Sequence, residues 1–444
     1  MTKAAVAPDN LSVRRRAKRV GGLRSLPTAI DPRSAALSFH RNWKKAQGRP
    51  SGGIDVIDMF SGCGGMSAGF ASLNAYCPAF RIAGAVDTDE PANQSYQINL
   101  CVKPLCMDIG KLARSPSLLA KTRQTMCPNG SSPLVLIGCA PCQGFSSHRK
   151  ESESLDPRNS LFADFARIAA KLRPSVIVME NVPELLTDKY WPFVAQARVL
   201  LEKCGYFVNL SVHNMAEYGV PQERFRTLLL AMQDPFIAPA GFLPRGRFKT
   251  VRDAIGHLPA IRAGERHPAD PMHFTAGHKD STLATIEAVP LDGGSRPAHV
   301  GPECLRRAKE RNGRAVYEDV YGRLFWDKPA ITITAHARNP ASGRYVHPDQ
   351  TRGLSVREAA LLQSFPSGYD FAGSLDQRFR QIGNAVPPAF AAFLAAHIFN
   401  QLQGSSQAER SVQFDRGITS PVGASFSRLI PSLKSGHRTT YGPK

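Results

Sequence analysis

The stretch IDVIDMFSGCGGMSAGF, residues 54–70, passes from an apolar run through a cluster of glycines into helix-forming residues. It reads as strand, glycine turn and helix. In that order Gly62, Gly64 and Gly65 sit where backbone must come close to a ligand at a helix N-terminus. The spacing is not G-x-G-x-x-G, and the Lys-Ser/Thr of a phosphate loop is missing, which argues against a dinucleotide or a triphosphate.

Working outward, RIAGAVD (81–87), LVLIG (134–138) and SVIVME (175–180) are further short apolar runs, and FADFARIAAKL (162–172) has helical spacing between the last two. The alternation predicts an α/β fold with a mostly parallel sheet covered by helices on both faces. From 234 to 320 the pattern dissolves into Pro, Gly, Arg and His, which predicts a smaller loop-rich unit. PAFAAFLAAHIFNQL (388–402) closes the α/β part as a helix. The expected division is a basic, disordered arm over 1–50, a catalytic unit over 51–233, a loop-rich region over 234–320, a return to the catalytic unit over 321–402, and a polar tail over 403–444.

The net charge is +20, and residues 1–50 alone carry 12 Lys+Arg against 2 Asp+Glu. That balance favours a polyanionic partner. Nine cysteines without framework spacing predict free thiols in a reducing compartment. With no long apolar run and no signal-like start, the expectation is a cytoplasmic protein with no membrane association.

Two acids follow the glycine turn. Asp87 ends the second predicted strand and Asp108, in MDIG, ends the third. Glycine turn plus strand-end acids describe a nucleoside site without a phosphate site, which suits S-adenosylmethionine. Farther on, GCAPCQGFSSHR (138–149) holds Cys139 and Cys142. A zinc site would need two more ligands at suitable spacing. A redox pair or a single nucleophile stays open on these residues alone. Glu180 and Asn181 end the neighbouring strand, so a thiol and a carboxyl can meet one substrate at adjacent strand ends.

FSGCGGMSAGF, APCQGFS, ENV, YGVPQERFR (218–226) and QIGNAVPP (381–388) occur in this order. The set resembles the ordered motifs of the C5-cytosine DNA methyltransferase family over residues 54–400. YGRLFWDKPAITIT (321–334) and LSVREAALLQSFP (354–366) are similar to family segments ahead of its final motif. The resemblance implies a Rossmann-like S-adenosylmethionine-dependent methyltransferase fold with a target-recognition region over 234–320. It implies Cys142 as nucleophile, Glu180 at cytosine N3, Asn181 ordering the nucleophile's loop, and Arg224 and Arg226 near the flipped base and its phosphate. Phe60, Gly62, Gly64, Asp87, Asp108, Ile109, Pro141, Leu161, Asn384 and Val386 fall on positions that line the cofactor, and SSHRKESESLDPRN (146–159) resembles the loop that closes on DNA. Cys139 and Thr88 depart from the family pattern, and Thr88 is left out of the site.

The implied partner is double-stranded DNA, bound by a monomer that needs no metal. A cognate restriction endonuclease would act on the same site without direct contact. RGRFK (245–249), His273, His278 and RRAKERNGR (306–314) are candidate DNA contacts. RNA methylation, a catalytically silent DNA-binding regulator and a redox protein built on Cys139/Cys142 are the alternatives. The sizeable 234–320 region favours DNA, and an intact Cys142, Glu180 and Asn181 argue against the regulator.

Overall fold

The computed structural model describes residues 29–49, 51–128, 130, 133–140, 160–306, 319–404 and 414–425. Pro141, Cys142, the 146–159 segment, RRRAKR (14–19) and most of RRAKERNGR lie outside them.

Seven strands form one sheet: β1 (Ile54–Met59), β2 (Phe80–Asp87), β3 (Leu105–Cys106), β4 (Leu134–Gly138), β5 (Val176–Asn181), β6 (Phe207–Asn214) and β7 (Phe225–Met232). Their order is β3-β2-β1-β4-β5-β7-β6. The first five pair parallel, while β7 runs antiparallel between β5 and β6. The mixed, mostly parallel α/β fold is therefore as the sequence predicts. β1 and β4 are buried along their whole length, as central parallel strands must be when helices cover both faces. Two large apolar clusters flank the sheet. One includes Val56, Ile137 and Val178, the other Ile57, Leu136 and Ile177. That split follows the period-2 alternation of side chains along each strand.

The chain leaves β1 for β2 and β3 on one side, then returns to β4 on the other. This is the switch point at which open α/β sheets bind ligands, outside the carboxyl ends of the strands. Met59 pairs with Gly138 and Gly138 with Met179. One residue farther on, Phe60, Cys139 and Glu180 share the rim.

Helix α3, as we number the third helix of the chain (Gly65–Ser72), follows the glycine turn. A Cβ on Gly65 would stand 2.4 Å from the Val386 carbonyl oxygen. Only glycine lets the first motif and the 381–388 motif touch here.

Three expectations are corrected. Residues 29–49 are not a disordered arm: helices α1 (Pro32–Leu37) and α2 (Phe39–Ala46) bury Ala35, Ala36, Phe39 and Trp43 in the main core. Asp31 caps α1 by accepting from the Arg33 and Ser34 amides. Nor is residue 403 onward wholly a tail. Residues 414–425 cover the exposed edge of β6, where Ile418 donates to the Leu210 carbonyl at 2.7 Å and Arg198 donates to the Ile418 carbonyl at 2.8 Å. An edge strand left bare would template association. Third, the stretch Leu375–Leu402 is long and apolar enough to cross a membrane by length and composition, but 89% of its apolar window is buried inside the fold.

Among its described residues, region 234–320 includes the short helices Val251–Ile255 and Asp280–Glu287. Its first half is tied to the main core through Val251, Ile255 and Met272. Ile286 joins a separate small cluster with Tyr321 and Val346. Buried Arg323 holds the loops there by donating to the carbonyls of Ile286, Val289, His347 and Gln350.

Candidate active site

A cavity of about 590 Å³ opens at the switch point, a size suited to a cofactor-scale ligand. Its walls come from several segments distant in sequence. The glycine turn supplies Phe60, Gly62 and Cys63; the ends of β4 and β5 supply Cys139, Ala140, Glu180 and Asn181; and the 381–388 motif supplies Asn384 and Val386.

The turn is shaped by unusual backbone. Phe60, Gly62 and Gly64 all have positive φ, at 57°, 51° and 89°. For Phe60 this conformation is costly, of order 1–3 kcal/mol, so its surroundings must hold it. Part of that hold is Asp87 at the end of β2, which accepts from the Gly62 amide at 2.8 Å and from the Asp89 amide at 2.9 Å, one bond on each oxygen. A carboxylate has about four acceptor positions, so Asp87 keeps capacity toward the cavity. Burial raises its pKa against the lowering effect of those amide bonds.

Glu180 ends β5 and is 6% exposed. Arg226 Nε stands 3.0 Å from Glu180 Oε1, an ion contact by distance without hydrogen-bond alignment. Two effects oppose each other on this carboxyl: burial raises its pKa, while the Arg226 and Arg224 charges lower it. Burial wins, so Glu180 holds its proton more readily than a solvated glutamate. Asn181 donates from Nδ2 to the Ala140 carbonyl at 3.2 Å, while its Oδ1 accepts from the Val182 amide at 2.8 Å. Its side chain thus fixes the backbone two residues before Cys142. Cys139, beside them, has its thiol pKa pushed well up by burial and by the Glu180 charge, which keeps it protonated and poorly nucleophilic.

Arg224 is 2% exposed and binds protein, not solvent. It donates to the carbonyls of Ile333 (3.0 Å), Gly383 (2.9 Å) and Ala385 (3.2 Å). Gln222 joins it, donating to the Leu362 carbonyl and accepting from the Ile333 amide. In YGVPQERFR, Arg224 therefore fastens the final motif to the sheet, Gln222 fastens the 333 and 362 segments, and Arg226 stands against Glu180. His273 is also committed inside the fold, bonded to Ser355 Oγ and the Pro259 carbonyl at 2.9 Å each.

Of the sequence-predicted residues, Phe60, Gly62, Asp87, Glu180, Asn181, Arg224, Arg226, Asn384 and Val386 line this one cavity. Gly64, Asp108, Ile109 and Leu161 do not. Gly64 is the N-cap of α3. Asp108 caps the helix Ile109–Arg114 by accepting from the Lys111 amide at 2.7 Å, and Ile109 is buried in the second cluster. Thr88, set aside on sequence, does line the cavity, and so do Asp58, Arg380 and Gln381. Asp58 had a readable signal, a second carboxylate after Asp55 inside a short, mostly apolar strand. Gln381 opens the final motif, and Arg380 had no signal beyond lying beside it.

The profile of the C-5 cytosine-specific DNA methylase family matches residues 54–400. The chain belongs to that family. It is a DNA (cytosine-5)-methyltransferase. It is 34% identical over 362 residues to the Type II methylase M.HgiDII of Herpetosiphon aurantiacus, covering 80% of this chain and 98% of that protein. Identity is 33% over 350 residues to the Type II methyltransferase M1.HphI of Haemophilus parahaemolyticus, covering 77% and 86%. In fold it is similar to an E. coli prophage protein assigned as a DNA modification methyltransferase, with a TM-score of 0.59, 23% identity, and coverage of 78% and 99%. The methylase match spans the glycine turn, both strand-end motifs and the final motif, the same segments that build the cavity.

Proposed function

We propose that the cavity is where this methyltransferase holds S-adenosylmethionine and receives a cytosine flipped out of duplex DNA, and that the enzyme serves a restriction-modification system. The convergence of Glu180, Arg226 and Asn181 beside the glycine turn carries the reading. The residues suit the cofactor. Asp58 Oδ1 and Ser61 Oγ are buried without a hydrogen-bond partner on the turn's side of the cavity, and such acceptors call for a donor. Asp87 has spare lone pairs for ribose hydroxyls. Asn384 and Val386 extend the wall where the final motif meets Gly65. When bound, S-adenosylmethionine supplies a sulfonium methyl to cytosine C5.

The chain's own residues make C5 reactive. The Cys142 thiolate bonds to C6 and pushes the ring electrons toward C5 and N3, which suspends aromaticity. Glu180, with its raised pKa, hydrogen-bonds or protonates N3 and neutralises the charge arriving there. After methylation C5 loses its proton, the sulfur–C6 bond breaks, and the thiolate is regenerated. Every step needs the base out of the stack. Asn181 keeps the Ala140 carbonyl, and with it the start of the nucleophile's loop, against β5. Residues 51–233 and 321–402 form the catalytic unit in this reading, and 234–320 reads the DNA. The enzyme acts as a monomer in the cytoplasm, and its partner endonuclease meets only the DNA.

Labelled S-adenosylmethionine with duplex DNA, followed by digestion to nucleosides, tests the reading. The expected product is 5-methylcytosine, with transfer to RNA at least about 100-fold slower per site, a gap of about 2.7 kcal/mol in transition-state stabilisation. Label in another methylated base, or a preference for RNA, contradicts it.

A further inference from the structure

The helix pair α1–α2 precedes the family match at 54–400, yet it is built into the core next to the cofactor turn. The Ile30 amide donates to Asn400 Oδ1 at 2.9 Å, and Asn400 Nδ2 donates to the Ile30 carbonyl at 2.8 Å. That pair of hydrogen bonds anchors the entry to α1 on the helix Pro388–Leu402. From α2, Trp43 packs its ring 5.7 Å from that of Tyr369. Tyr369 is fully buried, and its hydroxyl donates to the Cys63 carbonyl at 2.5 Å. Cys63 lies between Gly62 and Gly64, inside the positive-φ turn that walls the cavity.

We propose that Trp43 is a positioning residue for the cofactor site, acting through Tyr369 on the Cys63 carbonyl to hold the glycine turn in its binding shape. The inference rests on the reading of this cavity as the S-adenosylmethionine site. A turn with few regular backbone bonds owes its shape to such ties, because glycines leave it many alternatives. Besides the Ser61 amide bond to Val86 and the Cys63 thiol contact to the Gln381 carbonyl, the turn is tied by Asp87 at the Gly62 amide and by Tyr369 at the Cys63 carbonyl. Rings hold Tyr369 in place: Phe365 at 4.7 Å and Phe371 at 5.4 Å within the family core, and Trp43 at 5.7 Å from the added helix. Removing Trp43 opens space beside Tyr369, and the hydroxyl can then leave Cys63. Trp43 is buried in the core and does not line the cavity, so its effect falls on cofactor affinity through the turn.

Calorimetric titration of the full chain with S-adenosylhomocysteine, the non-reactive product, tests this. Trp43→Ala and Tyr369→Phe are each expected to weaken binding about tenfold. The double variant is expected to be no weaker than the worse single one, because both act through one contact. KM for DNA stays within about twofold of wild type, and Trp43→Phe restores most of the affinity. A folded Trp43→Ala that binds like wild type overturns the inference. If Trp43→Ala does not fold, Tyr369→Phe decides: it keeps the ring packing, and wild-type affinity in it overturns the inference equally. Additive losses in the double variant overturn it too. Wild-type protein that binds no S-adenosylhomocysteine overturns the cofactor reading itself, a result distinct from unaltered binding in the variants.

Discussion

Serine in place of Cys142 is expected to reduce methyl transfer by about 10⁴-fold or more, whereas Cys139→Ser retains activity within about tenfold. The two cysteines lie three positions apart and differ in surroundings. Cys139 follows β4 directly and lines the cavity, and burial raises its thiol pKa and keeps it protonated. It cannot supply the thiolate that adds to C6. A serine hydroxyl at 142 fails for a different reason: its alkoxide is inaccessible near neutral pH, and oxygen adds to an aromatic carbon far less readily than sulfur. Initial rates on duplex DNA at saturating cofactor give the comparison. A folded Cys139→Ser that is inactive would revive a role for the pair, and an active Cys142→Ser would remove the nucleophile.

The second large effect is expected at Glu180. Glu180→Gln keeps the shape and one hydrogen-bond donor but cannot deliver a proton, so a loss of about 10²–10⁴-fold in kcat is expected. The sign of the pH dependence follows from the raised pKa. The protonated carboxyl is present below its folded-state pKa and is lost as pH rises through that value, which lies above the ordinary 4.5. Wild-type activity should therefore show an alkaline decline governed by this group, and Glu180→Gln should lack it. Rate profiles of the two proteins over the same pH range make the test. An unchanged profile in the variant would assign the proton elsewhere. Arg226 bears on the same point: at 3.0 Å from Oε1 it moderates the rise without reversing it.

The parts of this site legible in the sequence are those fixed by local chemistry. Glycine clusters demand particular turns, apolar runs demand strands, and residues at the carboxyl ends of β1, β4 and β5 meet because parallel strands in register must bring their ends together. The motif order in 54–70, 138–149 and 180–182 thus gave both fold class and cavity. The rest was hidden because it depends on partners far along the chain. Arg224 meets the carbonyls of Gly383 and Ala385 about 160 residues away, so its pairing with Arg226 in sequence says nothing of its commitment to backbone. Asp108 shows the reverse, a strand-end acid used as a helix cap. Helices α1 and α2 were hidden by length: at six and eight residues they fall below what stands alone in water, and they exist because Ala35, Ala36, Phe39 and Trp43 find the core. Residues 414–425 likewise take their form from the edge of β6 that they cover.

The central claim is that Cys142 attacks cytosine C6 while the methyl is delivered to C5. Duplex DNA carrying 5-fluorocytosine at the target tests it most directly, because fluorine at C5 cannot leave as the proton does and the covalent adduct is stranded. The expected result is a protein–DNA adduct that survives denaturation, forms only with S-adenosylmethionine present, and maps by peptide mass to Cys142. An adduct on Cys139, or none from enzyme that methylates ordinary cytosine, would contradict it.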